Sequence, residues 1–246
     1  MFLAIDTSSE QTSVSLGNLD CGLREFNSLS SERFGEHAEE LSLLVSRLLK
    51  ESGLSIADLD GVTLTTGPGS FTGIRIGLSY AKGICSACSI PLYSFDTLQS
   101  AYAALALEEE LFPQLYFFIM DARGTEVFLS GYQHDRNRSI FEQCVVEPHL
   151  VDLFQVREVI TRLELERTTS SRVYALGTAP LDGLEAFQVQ TPLSQGALLL
   201  TAECLSSPRQ TEATHTITPL YIRPVSAKTL KERGIHTVDI LGSIDY

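Results

Sequence analysis

The spacing of apolar residues predicts an alternation of short strands and longer helices along the whole chain. The first half begins with three strands joined by short polar turns, and then alternates helices with single strands. These elements are predicted at residues 2–6, 12–17, 21–27, 35–52, 60–66, 70–88, 91–95 and 97–107. The helix at 35–52 carries one continuous apolar face, which is typical of a surface helix packed on a core.

The same order of elements recurs after an acidic run at residues 108–110. Strands are predicted at 115–121, 125–132, 139–146 and 172–176, a helix at 149–165, and then a strand at 187–190, a helix at 193–205 and a strand-like run at 216–223. Each half starts with a strand that ends in an aspartate, Asp6 or Asp121. The pattern therefore predicts an α/β fold of two related lobes with mixed sheets flanked by helices. The lobes are assigned to residues 1–104, with 213–246 packing back on them, and to 105–212.

Composition limits the classes of partner. The formal net charge of -13 disfavours an extended nucleic-acid surface, which depends on lysine and arginine. No apolar run approaches the ~20 residues that a membrane span needs, and the sequence begins with a strand pattern, so we expect a cytoplasmic protein without membrane contact. The pair Cys85 and Cys88 lies within a helix pattern, which favours small buried side chains over metal or redox chemistry.

A glycine-rich segment, residues 66–77, joins a predicted strand to the helix at 70–88. Gly67 and Gly69 can adopt positive φ, Pro68 fixes φ, and Ser70 is placed to cap the helix. Such a turn could cradle a phosphate, but the Lys-Ser or Lys-Thr pair of the phosphate-binding loop is absent. A tight strand-to-helix turn is therefore favoured, with phosphate binding as the alternative.

One side of the helix at 70–88 carries only small residues. Ser70, Gly73, Gly77, Ala81 and Cys88 share that side and predict a groove in which another backbone could approach closely. The backbone could belong to a partner or to the sheet of this chain, and the sequence leaves both open.

Several segments together resemble the TsaB (YeaZ) family. They are Ile5-Asp6-Thr7-Ser8, the glycine-rich segment from Gly67 to Gly77, Asp121-Ala122-Arg123 with Glu126-Val127, and Pro219, Tyr221 and Arg223. The resemblance implies a duplicated actin-like, ribonuclease H-like fold. It further implies a noncatalytic dimerisation partner of the enzyme TsaD, required to form threonylcarbamoyladenosine beside the anticodon of tRNAs that read codons beginning with adenine. TsaE would join through the complex, tRNA would be contacted only indirectly, and the chain alone would form a homodimer.

The resemblance also implies where the partner binds. The expected interface uses the helices at 35–52 and 70–88, through Ala38, Leu41, Leu44, Val45, Leu48, Ser70, Phe71, Gly73, Ile74, Gly77 and Ala81. The family's Arg-x-His-Ser-Glu at the start of the first of these helices is reduced here to His37 and Glu39, so the start of that helix is less well defined. Thr97 and Ala101 stand where TsaD carries two metal-binding histidines, and no catalytic or metal site is expected.

The two aspartate turns define a second candidate site. In actin-like proteins such turns face each other across a nucleotide cleft, which here would be lined by Asp6, Thr7, Ser8, Asp121 and Arg123. The alternative function is therefore an independent ATPase or kinase. We expect no cofactor, with at most weak ATP or ADP binding in a vestigial cleft, because Arg123 replaces the glycine of a phosphate turn. Both turns are equally compatible with ordinary hairpins.

Overall fold

The computed structural model describes residues 1–19, 26–31, 36–178, 183–206 and 216–222. The first half contains β1 (Phe2–Asp6), β2 (Ser13–Gly17), β3 (Phe26–Ser30), α1 (His37–Glu51), β4 (Gly61–Thr65), α2 (Phe71–Cys88), β5 (Leu92–Phe95) and α3 (Thr97–Glu108). The second half contains β6 (Leu115–Asp121), β7 (Glu126–Gln133), β8 (Cys144–Asp152), α4 (Leu153–Arg167), β9 (Ser171–Leu176), β10 (Phe187–Gln188) and α5 (Leu193–Ser206).

The two halves form equivalent five-stranded sheets. The strand order is β3-β2-β1-β4-β5 in the first sheet and β8-β7-β6-β9-β10 in the second. In each, the central strand pairs antiparallel with the strand that follows it and parallel with the fourth strand. The predicted α/β fold of two related lobes with mixed sheets flanked by helices is confirmed.

The helices divide the molecule into layers. α1 and α2 cover the outer face of the first sheet, and α4 covers the outer face of the second. α3 and α5 lie between the sheets in one shared core, where α3 packs on β6 and β7 while α5 packs on β1, β2 and β4. The predicted lobe boundary after residue 104 therefore falls inside α3, and α5, assigned to the second lobe, covers the first sheet.

The contact between α3 and α5 is close. A Cβ atom on Gly196 of α5 would lie 1.9 Å from the Ser100 carbonyl oxygen of α3. α5 is further tied to the first sheet by hydroxyl pairs, Ser15 with Ser194 at 2.7 Å and Thr63 with Thr201 at 2.6 Å. Buried hydroxyl pairs of this kind fix the position of a helix because each polar group needs its partner.

The predicted boundary between the third strand and the helix of the second lobe is wrong. The strand was expected at 139–146 and the helix at 149–165, whereas β8 runs to Asp152 and α4 begins at Leu153. Pairing with β7 extends β8, since Glu126 lies opposite Asp152. Asp152 then caps α4, accepting a hydrogen bond from the Phe154 amide at 3.0 Å.

Two further predictions change at the ends of elements. The third strand was expected at 21–27 but β3 spans Phe26–Ser30, with residues 20–25 outside the described ranges.

Residues 216–222 form no strand and instead lie against the first lobe. There Ile217 is buried and its carbonyl oxygen accepts a hydrogen bond from Lys82 Nζ at 2.7 Å. Residues 213–215 and 223–246, including Arg223, lie outside the described ranges.

No helix among the described residues is long and apolar enough to cross a bilayer.

Candidate partner-binding groove and interlobe cleft

The glycine-rich segment forms a tight turn from β4 into α2. Gly67 and Gly69 adopt φ of +110° and +149°, which other residues rarely take. Ser70 caps α2, its Oγ accepting a hydrogen bond from the Gly73 amide at 3.1 Å. Both features were predicted from the sequence and are confirmed.

Backbone groups of this segment are bonded within the chain. The Ser70 amide donates to the Ser8 carbonyl oxygen at 2.7 Å, and the Thr97 amide donates to the Gly67 carbonyl oxygen at 2.8 Å. A Cβ on Gly69 would lie 2.1 Å from the oxygen of Ser8. The glycines therefore allow β4, the β1–β2 turn and the start of α3 to meet, which favours the turn over the phosphate-binding alternative.

The small side of α2 is filled by the first hairpin turn of the same chain. A Cβ on Gly73 would lie 2.0 Å from the Thr7 carbonyl oxygen, and one on Gly77 would lie 2.3 Å from Thr7 Oγ1. Thr7 Oγ1 also donates a hydrogen bond to the Gly73 carbonyl oxygen at 2.8 Å. The sequence left open whether a partner or this chain packs on the small side of α2. In the structure, the β1–β2 turn of this chain packs there.

Most side chains expected at the interface are buried within this chain. The buried ones are Leu41, Leu44, Val45, Leu48, Gly73, Ile74, Gly77 and Ala81. Ala38 and Phe71 are exposed and Ser70 is half-buried. The apolar stripe holds α1 and α2 to their own sheet, so a partner would contact mainly the exposed residues of these helices.

An open groove does lie between α1 and α2. Its volume is about 530 Å³, and it is lined by Ala38, Leu41, Phe71, Thr72, Arg75, Ile76, Ser79 and Tyr80. The α2 residues recur at intervals of three and four, so they form one face of the helix. The predicted interface did not include Thr72, Arg75, Ile76, Ser79 and Tyr80, although this spacing was a usable signal.

The rim of the groove carries an exposed cluster of aromatic rings around an arginine. The Arg75 guanidinium lies 3.8 Å from the centre of the Phe71 ring, and its Nε donates to Tyr221 Oη at 2.9 Å. Phe71 and Tyr221 are each 41% exposed. Aromatic residues and arginine are the types that most often dominate protein interfaces, so this rim is suited to protein contact.

Asp6, the first candidate cleft residue, is enclosed by hydroxyl groups of its own lobe. Its Oδ1 accepts hydrogen bonds from the Ser8 amide at 3.1 Å, from Ser8 Oγ at 2.5 Å and from Thr65 Oγ1. Its Oδ2 accepts from Ser9 Oγ at 3.2 Å. Burial raises the pKa of Asp6, and the hydrogen bonds from Ser8 and Thr65 oppose that shift.

His37 anchors the start of α1 to the same turn. Glu36 stands at the N-cap and makes no side-chain capping bond, while Ala38, in the place of the family motif's serine, lies inside the helix. Instead, His37 Nδ1 lies 2.7 Å from Thr12 Oγ1. Burial lowers the pKa of His37 and the charge of Asp6 opposes the shift. His37 therefore has a structural role in holding α1 against the β1–β2 hairpin.

The second aspartate turn differs from the first in its environment. Asp121 is exposed, and its Oδ1 accepts a hydrogen bond from the Arg123 amide at 2.8 Å, which closes an ordinary turn with Arg123 at φ +70°. The two lobes are linked beside the first turn, where Thr178 Oγ1 donates to Glu10 Oε1 at 3.0 Å. The cleft residues thus form one buried and one exposed turn rather than two matched phosphate sites.

The start of α3 carries no imidazole at the two positions where histidines would stand. Thr97 and Ala101 are fully buried, and Asp96 caps the helix by accepting from the Gln99 amide at 2.7 Å. Across the described ranges, no three His, Cys, Asp or Glu side chains lie close enough together to hold a metal ion. Burial raises the pKa of Asp96 to about 7, against the hydrogen bonds from the Gln99 and Leu98 amides, while the charge of Glu147 adds to the rise.

Asp96 should give the protein a distinct pH dependence. In the folded state its carboxyl holds a proton up to about pH 7, whereas in the unfolded chain the pKa is near 3.8. The free energy of unfolding of the wild type, relative to Asp96→Asn, should therefore fall as pH rises from about 4 to about 7. Asparagine keeps the cap. Urea titrations of both proteins across this range measure the difference, and a constant difference would contradict it.

Comparison with known proteins places the chain in a family. A family model described as "TsaD: tRNA N6-adenosine threonylcarbamoyltransferase" matches residues 32–173, more than half of the chain. The tRNA threonylcarbamoyladenosine biosynthesis protein TsaB of Escherichia coli (strain K12) is 33% identical over 156 residues, which cover 61% of this chain and 63% of that protein. The chain belongs to the family that this model describes. The alignment spans less than two thirds of the length of this curated relative.

A TsaD relative and a solved structure are also similar to this chain. A tRNA N6-adenosine threonylcarbamoyltransferase of Cereibacter sphaeroides is 37% identical over 117 residues, which cover 44% of this chain and 32% of that enzyme. A crystal structure from Pseudomonas aeruginosa, described as having similarity to peptidase YEAZ, superposes with a TM-score of 0.69 at 22% identity. It covers 90% of this chain and 99% of its own. The likeness in structure establishes the shared fold.

Proposed function

We propose that this chain is a noncatalytic partner of a TsaD enzyme, and that the two act together in the cytoplasm to form threonylcarbamoyladenosine on tRNA. The observation that carries the proposal is the position of the groove between α1 and α2. Both helices lie inside the segment that matches the TsaD family model, residues 32–173. A TsaD chain therefore offers the corresponding pair of helices.

Like surfaces of related chains can pair about an approximate two-fold axis, as identical subunits do about a true one. In the proposed complex, the groove and the rim formed by Phe71, Arg75 and Tyr221 contact the equivalent helices of TsaD. The same surface supports a homodimer when TsaD is absent. TsaE and tRNA join through the complex, because the net charge of -13 disfavours extensive contact of this chain with RNA.

The assignment of a noncatalytic role rests on the enclosed first turn. Asp6 accepts its hydrogen bonds from Ser8, Ser9 and Thr65, and Thr97 and Ala101 supply no imidazole. These features argue against the alternative of an independent ATPase or kinase. Isothermal titration of the isolated chain with ATP and magnesium should give no micromolar binding. Micromolar affinity that is lost in Asp6→Ala would instead support the alternative.

Reconstitution tests the proposed function directly. Titration of the purified chain with TsaD should give a one-to-one complex in calorimetry and size-exclusion chromatography. Modification of tRNA by TsaD, TsaE and the enzyme that supplies the threonylcarbamoyl group should require this chain. Equal modification with and without the chain, together with no detectable complex, would refute the proposal.

A further inference from the structure

A second pocket, in the other lobe, gathers basic side chains. Its volume is about 440 Å³. It is lined by Pro113, Gln133, His134, Asp135, Arg136, Asn137, Arg138, Glu142, Gln143, Val145 and Arg167. Three arginines converge here, although the chain as a whole carries 31 acidic residues against 18 lysines and arginines. The pocket shares no lining residue with the groove between α1 and α2 or with the cleft residues, so neither site accounts for this concentration of arginines.

A buried glutamine holds the loop that carries two of these arginines. Gln143 Oε1 accepts a hydrogen bond from Tyr102 Oη at 2.5 Å and lies 3.1 Å from His134 Nδ1. Gln143 Nε2 donates to the carbonyl oxygens of Asp135 at 3.1 Å and Arg138 at 2.8 Å. The loop backbone is therefore fixed from inside the protein, which is the condition for a preorganised binding site.

The three guanidinium groups have weak or neutral partners. Arg136 pairs with Glu110, and Arg138 pairs with Asp135 at 3.5 Å, in both cases between exposed side chains. Exposed pairs of this kind contribute little free energy, so a phosphate, which can accept two guanidinium hydrogen bonds at once, can replace them. Arg167 Nη1 donates to the neutral Gln133 amide oxygen at 2.6 Å.

Acidic side chains limit the affinity of the pocket for anions. Asp135 Oδ1 is turned into its own loop, where it accepts from the Asn137 amide at 2.9 Å, and its Oδ2 faces Arg138. Glu142 is exposed in the lining. Once a phosphate displaces Glu110 from Arg136, the three arginines exceed the two carboxylates of the lining by one charge, which suits a single phosphate group rather than a continuous stretch of backbone.

We propose that this pocket binds one phosphate group of the tRNA backbone while the chain is held in its complex with TsaD. The inference rests on the proposed function, which makes tRNA the substrate of the complex. Arg167, Arg136 and Arg138 contact the phosphate oxygens, and Gln143 keeps the loop in the binding conformation. A single contact of this type adds to the affinity of the complex without giving the chain its own extended RNA surface.

The test measures binding of tRNA to the complex by fluorescence anisotropy at several salt concentrations. Arg167→Gln should weaken binding about threefold to tenfold at 0.1 M salt and lower the magnitude of the salt slope by about 1. Glu142→Gln should strengthen binding. The matched control is Arg162→Gln, an exposed arginine of the same helix that pairs with Glu166 outside the pocket, and it should leave the affinity unchanged.

Two results would overturn the proposal: equal affinity of the wild-type and Arg167→Gln complexes, or equal loss in both arginine variants. Titration of the isolated chain with inorganic phosphate separates the sources of phosphate. If inorganic phosphate binds in the pocket while Arg167→Gln leaves tRNA affinity unchanged, the site serves free phosphate and the tRNA assignment is wrong. If no complex with TsaD forms, the proposed function fails. The effect of Arg167→Gln on tRNA binding to the chain alone then decides the pocket's role.

Discussion

Replacement of Gly73 by alanine is expected to lower the free energy of unfolding by about 2–3 kcal/mol. In most exposed helix positions this change is stabilising, because glycine loses more backbone entropy on folding than alanine does. At Gly73 the added Cβ would lie 2.0 Å from the Thr7 carbonyl oxygen. Since that oxygen belongs to backbone, the β1–β2 turn has to move away from α2. Urea unfolding of the purified variant measures the loss.

Gly83 is a matched control on the same helix. A Cβ at this position would have no heavy atom within 4 Å, so Gly83→Ala should raise the free energy of unfolding by about 0.5–1 kcal/mol. Gly73 and Gly83 lie on the same helix, but of these two only Gly73 has the backbone of another segment against it. Equal free energies of unfolding for the two alanine variants would contradict the claim that Thr7 leaves no room for a Cβ at Gly73.

Placement of an arginine in the groove is expected to abolish most binding to TsaD. Ser79 is exposed and lines the groove on α2. In the proposed complex, Ser79→Arg puts an unpaired charge and a long side chain into a surface from which water is removed. Such changes cost roughly 2–5 kcal/mol, which corresponds to at least about a 30-fold loss of affinity. Calorimetric titration with TsaD measures the loss.

The control for this variant is Thr161→Arg. Thr161 is an exposed hydroxyl residue on α4, in the other lobe, and takes the same new charge. Both variants should keep the wild-type melting temperature, since neither side chain is buried. Full TsaD affinity in Ser79→Arg, or an equal loss in Thr161→Arg, would show that the groove is not the binding surface.

Local patterns were sufficient to predict the duplication and most elements. The strand–aspartate–turn pattern at Asp6 and Asp121 recurs because the two sheets share one order of strands. The glycine-rich turn was also predictable, since positive φ at Gly67 and Gly69 depends on residues next to each other in sequence. The end of β8 could not be predicted from local sequence, because it depends on pairing with β7.

The contact surface could not be predicted from periodicity alone. A stripe such as Leu41, Val45 and Leu48 identifies the buried face of α1, but it does not identify what covers that face. Here the first sheet of the same chain covers it. The groove depends on how α1 and α2 lie beside each other, and the rim further depends on Tyr221, far along the chain. The arginine pocket similarly joins residues from α4 and a loop after β7.

The position of α5 has a consequence for synthesis of the protein. All five strands of the first sheet are complete once β5 has been made, but the helix that covers their inner face comes from residues 193–206. During translation the apolar side chains of that face, among them Phe2, Tyr93 and Phe95, have no permanent cover until nearly the whole described chain has emerged. The first half is therefore expected to bind chaperones at the ribosome. A fragment that ends before α5 should aggregate rather than fold.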